Sequence, residues 1–89
     1  MSGYNARKAW LERQRDYVRN LKTNPCADCH KIYPPCVMDF DHVRGKKKFN
    51  IARGLNKVSK DKLEAEILKC DLVCSNCHRI RTELRNTNR

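Results

Sequence analysis

Cys74-Ser75-Asn76-Cys77-His78 repeats, near the end of an 89-residue chain, the pattern of Cys26-Ala27-Asp28-Cys29-His30. Each Cys-x-x-Cys presents two sulfurs from one turn, the geometry in which tetrahedral zinc is gripped. Two such pairs make a closed four-cysteine site, which is structural because no coordination position is left for a substrate. Zinc held by Cys26, Cys29, Cys74 and Cys77 is therefore the expected staple of a single small α+β domain. A staple is needed. At this length, with 39% hydrophobic and 34% charged residues, apolar burial alone leaves a domain marginal.

The cysteines read as ligands rather than disulfides because the chain is expected in the cytoplasm. Met1-Ser2-Gly3-Tyr4-Asn5-Ala6-Arg7-Lys8 carries no apolar signal region, and no stretch approaches the about 20 apolar residues of a membrane span. A reducing compartment disfavours disulfides. Cys36 and Cys70 are left over and are expected as small buried residues. Cys-x-x-Cys-His is also the haem-attachment motif. Two haems do not fit so short a chain, and Met38 is its one internal methionine.

Outward from the cysteines, residues 1–24 read as a basic helix and 25–89 as the stapled core. Trp10, Tyr17, Val18 and Leu21 recur at helical spacing from about Asn5 to Lys22, and Asn24-Pro25 ends that helix. Val37-Met38-Asp39-Phe40-Asp41 has strand character and runs into Asp41-His42. The turn Arg44-Gly45-Lys46-Lys47-Lys48 then predicts a hairpin with Phe49-Asn50-Ile51 as return strand. A helix is predicted over Ser59–Lys69, with Ser59 as N-cap and Leu63 and Ile67 buried. Asp71-Leu72-Val73 reads as a connector, and a last helix runs from about Cys77 to Arg85. On that helix Cys77, Ile80 and Leu84 share the expected core stripe. His78, Arg81, Thr82 and Arg85 share the adjoining one.

The formal net charge is +10, so the expected partner is a polyanion whose phosphates Lys and Arg neutralise. Asp41-His42 at a strand end offers a hard oxygen ligand and an imidazole, and His78 adds a second imidazole just after the second knuckle.

Cys26-Ala27-Asp28-Cys29, then Met38-Asp39-Phe40-Asp41-His42-Val43, then Leu72-Val73-Cys74-Ser75-Asn76-Cys77-His78-Arg79 resembles, in order, the HNH endonuclease family. The resemblance spans Cys26 to Thr82. It implies a ββα-metal (His-Me finger) fold with flanking helices, cleaving or nicking DNA. Asp41 and His78 would hold a catalytic Mg²⁺, Mn²⁺ or Ni²⁺, and His42 would be the general base. Arg81 and Arg85 would position phosphates, with Arg44, Lys46, Lys47 and Lys48 also on DNA. The family's middle Asn falls at Lys69 here, so bracing of the inter-strand loop passes in expectation to Asn50 or Asn76. Thr82 stands where some members carry a further ligand His. Small free-standing members occur in phages and mobile elements. A monomer or weak dimer is expected, with a protein partner a candidate source of specificity. The alternatives are a non-catalytic zinc-dependent nucleic-acid-binding module and a zinc-dependent protein adaptor; only the adaptor would bind its partner independently of salt.

Overall fold

Two strands form the sheet of this small α+β fold. β1 (Met38–His42) and β2 (Cys70–Cys74) pair antiparallel, with Phe40 opposite Leu72 and Asp41 opposite Asp71. The computed structural model describes residues 3–87; positions 1–2 and 88–89 of the expected domain lie outside that range. Around the sheet lie α1 (Gly3–Leu21), the single turn α2 (Ile51–Gly54), α3 (Lys60–Ile67) and α4 (Ser75–Thr87). A tight helical turn at Pro35–Val37 leads into β1. No described helix is long and apolar enough to cross a membrane.

The expected return strand at Phe49–Ile51 is not formed. Ile51 instead opens α2 and is buried against Val18 and Leu63. The strand that pairs with β1 is the stretch read as a connector. Asp71-Leu72-Val73, extended by a cysteine at each end, supplies a full five-residue partner. It is also held beside β1 by the Cys74 knuckle. The segment 43–50 cannot compete: its cations are exposed, and Gly45 turns the chain at φ 67°.

α1 joins the core through Val18, with Tyr17 packed alongside. Gln14, a polar residue within the buried stripe, donates to the Val58 carbonyl at 3.0 Å and thereby ties α1 to the turn between α2 and α3. Gly54 is required there, since a Cβ would lie 2.5 Å from the Phe49 ring. α3 begins as expected after Ser59, whose hydroxyl accepts from the Lys62 N–H at 3.4 Å. Leu63 and, unexpectedly, Glu66 are its buried residues.

Two further expectations fail. Cys36 is exposed, because the Pro34-Pro35 turn holds it away from both cores, and Cys70 is only half-buried. Ile80 and Leu84 are 58% and 56% exposed rather than buried. α4 turns its polar side to the sheet instead, because Asp39 and Asp41 face it and need the His78, Arg81 and Arg85 side chains.

Candidate functional site

The cysteines of the two knuckles meet. One Sγ from each of Cys26, Cys29, Cys74 and Cys77 lies within 4.8 Å of every other, and Cys29 and Cys74 are 4.0 Å apart. A zinc tetrahedron with bonds of about 2.3 Å needs sulfurs about 3.8 Å apart, so a small contraction closes the site. Backbone amides already point at the sulfurs: Cys74 N–H donates to Cys26 Sγ at 3.3 Å and Cys77 N–H to Cys74 Sγ at 3.5 Å. Burial opposes a thiolate at Cys26, yet hydrogen bonds from the Cys29, Cys74 and Asp28 backbone prevail and hold it at about 6. Sharing with the Cys74 sulfur, together with burial, pushes Cys77 up to about 12. His30 is no ligand. It takes the left-handed conformation (φ 64°) that closes the first knuckle, its N–H donating to the Cys26 carbonyl at 2.9 Å.

Next to this cluster, strand alternation puts Asp39 and Asp41 on the face that meets α4. His78 stands between them: Nδ1 is 3.0 Å from Asp39 Oδ2, and Nε2 is 3.7 Å from Asp41 Oδ1. Since an ionised carboxylate only accepts, Nδ1 is the donor to Asp39, and Nε2 is the ring nitrogen turned toward Asp41. Asp41 is buried and doubly clamped. Its Oδ2 accepts from Arg85 at 2.7 Å and Arg81 at 2.9 Å, its Oδ1 from Arg85 at 3.0 Å. Burial opposes its charge, but these two guanidiniums win and keep the carboxyl below the usual range. Three of the four carboxylate lone pairs are thus engaged. The fourth, on Oδ1, belongs to the oxygen nearest His78.

The 3.7 Å between Nε2 and Oδ1 suits two ligands each about 2.1 Å from one ion. A carboxylate on the far nitrogen of a ligating histidine is the usual companion of such a site. Asp41 and His78 are thus spaced as two ligands of one ion would be, with Asp39 bonded to the other nitrogen of His78. The Thr82 hydroxyl is turned back onto its own helix and donates to the His78 carbonyl at 3.1 Å.

His42 follows the strand rule and leaves Asp41's face. Its Nε2 lies 3.0 Å from Oε2 of Glu66, which also accepts the Lys48 N–H at 2.9 Å. Lys69 Nζ donates to Glu66 Oε1 at 2.8 Å and to the Lys46 carbonyl at 2.7 Å. Burial resists ionisation of Glu66, but Lys69, the Lys48 amide and His42 outweigh it and hold the carboxyl at about 2. An ionised Glu66 makes Nε2 the donor and leaves Nδ1 as the basic nitrogen of a neutral His42. Loop bracing thus belongs to Lys69 and Glu66. Neither Asn50 nor Asn76 forms a side-chain hydrogen bond among the described residues. Removing the buried partner leaves Lys69 and His42 uncompensated, so Glu66→Ala should cost about 3 kcal/mol, read as a fall in the urea midpoint. Glu66→Gln, which keeps the shape, should cost less.

His42, Asp41, Asp39 and His78 all line one cavity of about 590 Å³, with Lys22, Lys47 and Asn50 among its other walls. The cations expected on DNA divide. Lys46, Lys47 and Lys48 are exposed. Arg44 instead bonds the Leu68 and Cys70 carbonyls and Asp71, while Arg81 bridges Asp28, Asp41 and Asp71 and Arg85 holds Asp41. Asp39, Glu66 and Lys69 were absent from the expected site. Asp39 was legible as the i−2 neighbour of Asp41 on one strand face, and Glu66 as a charge one turn after Leu63.

No protein-family model, no curated protein and no solved structure matches this chain.

Proposed function

We propose that this chain is a metal-dependent DNA endonuclease of the ββα-metal kind, with the four cysteines holding a structural zinc. The observation that carries the reading is His78, oriented by Asp39 at Nδ1 and turned by that contact so that Nε2 meets Asp41. Asp41 and His78 would hold the divalent ion. When bound, that ion supplies positive charge for the phosphate and the departing 3′ oxygen.

The side chains of the chain do the rest. His42, its ring fixed by Glu66, takes the proton from the attacking water at Nδ1. Lys22 and Lys47, on the walls of the same cavity, neutralise neighbouring phosphates. Arg81 and Arg85 hold the Asp41 carboxylate in place.

Relaxation of supercoiled plasmid in Mg²⁺, Mn²⁺ or Ni²⁺ tests the proposal, beside Mn²⁺ binding followed by electron paramagnetic resonance. Nicking is expected only with an added ion. His78→Ala should keep its zinc, lose Mn²⁺ binding at least tenfold and lose nicking. Unchanged Mn²⁺ affinity in that variant sinks the assignment of His78.

A second reading, a zinc-stapled nucleic-acid-binding module without catalysis, is favoured by the two arginines on Asp41. They already neutralise the carboxylate, as in a purely structural ion-pair network. It predicts salt-sensitive DNA binding with no nicking under any ion.

A further inference from the structure

The paired arginines leave open which cations meet the polyanion. Arg15, Lys22, Lys47, Arg53 and Lys57 differ from Arg44, Arg81 and Arg85, since none of the five forms an ion pair among the described residues. They are also contiguous. Lys47 borders both the first cavity and a second one; Arg53 and Lys57 border the second and a third. Arg15 borders the third and a fourth, and Lys22 closes the circle from the fourth back to the first. The circle runs around α2, with Leu55 on three of the four cavities. No carboxylate lines the second, third or fourth cavity; Asp39 and Asp41 appear only in the first.

We infer that this collar around α2, built by α1, the 43–50 loop, α2 and the turn after it, with carboxylates only where it opens into the first cavity, is the surface on which the phosphate backbone of a DNA duplex lies, leading it to the acidic cavity. The inference rests on the nuclease reading for the direction of the path, not for the collar itself. Duplex rather than single strand is chosen because the collar offers no exposed aromatic platform. Phe40 and Phe49 are half-buried, and single-strand sites rely on bases stacked on aromatic faces. Five unpaired cations at spaced positions instead suit phosphates, each neutralised cation releasing counterions.

Binding to a random-sequence duplex is measured against salt, with no divalent ion added. Each phosphate contact contributes about 0.9 to the slope of log K against log salt. Arg53→Ala/Lys57→Ala should therefore flatten the slope by about two. A charge-matched control, Lys31→Ala/Arg79→Ala, removes exposed cations outside the collar and should change it by less than half a unit. Circular dichroism and zinc content confirm that both variants fold. Equal flattening in both variants would mean diffuse attraction and overturn the collar, as would no flattening in the first or tighter binding of a single strand of equal length. Slope loss confined to the first variant upholds the collar even if plasmid nicking is never seen; nicking with an unchanged slope overturns the collar alone.

Discussion

Stripping the zinc, or replacing Cys74 with serine, should unfold the whole domain. The free energy of a structural zinc at neutral pH is about 10–16 kcal/mol in small zinc domains, while an entire small domain is stable by only about 5–15 kcal/mol. The packing here offers little to set against that loss. The buried apolar residues form two small clusters, and two members of the first, Cys26 and Cys74, belong to the four-cysteine cluster. Cys74 also ends β2 and accepts the amide of Cys77 at the start of α4. Losing it releases the strand that β1 pairs with and the helix that carries His78 in one step. The expected result is loss of the far-ultraviolet helix signal on chelation and its return on adding zinc. Cys74→Ser should stay unfolded at any zinc level. Cys36→Ser, at an exposed position, should behave as wild type. A zinc-free Cys74→Ser protein with native helix content would show that the sulfurs are not the staple.

What the sequence made legible follows the range of the interactions. The knuckles were readable because each pair is local and the metal dictates its spacing. α3 was readable from Ser59, a cap acting within three residues, and α1 from its apolar period. Strand pairing was not. The choice between Phe49–Ile51 and Cys70–Cys74 as the partner of β1 turns on contacts distant in sequence, and a hairpin is the default when a glycine turn follows a strand. The side of α4 that faces inward was misread for a related reason. Ile80 and Leu84 have the right period for a core stripe, but four carboxylates gathered from β1, β2 and the first knuckle outbid them. Asp39, Asp41, Asp71 and Asp28 take His78, Arg81 and Arg85 instead. Period alone cannot anticipate a polar interface whose two halves lie far apart in the chain.

The sharpest test of the catalytic reading is His42→Ala, expected to lower nicking by about 10²–10⁴-fold, the contribution typical of a positioned general base. It should do so without unfolding. The four-cysteine cluster does not include His42, and Glu66 keeps Lys69 and the Lys48 amide as partners when the imidazole is gone. That separates it from Glu66→Ala, which removes the anchor of the ring and a buried charge together. Comparing the two distinguishes chemistry from support. His42→Ala should lower the urea midpoint less than Glu66→Ala does, since Glu66 keeps Lys69 and the Lys48 amide as partners, while its loss of nicking is the larger effect. Glu66→Gln retains a hydrogen-bond acceptor for Nε2, so it should reduce the rate less than His42→Ala while leaving duplex affinity unchanged. Binding by His42→Ala should also be unaltered, because Lys22 and Lys47 on the cavity wall remain. Equal nicking by wild-type and His42→Ala proteins, both folded and zinc-loaded, would remove His42 from the chemistry. The Glu66–His42 contact would then be an ordinary buried pair holding the 43–50 loop against α3.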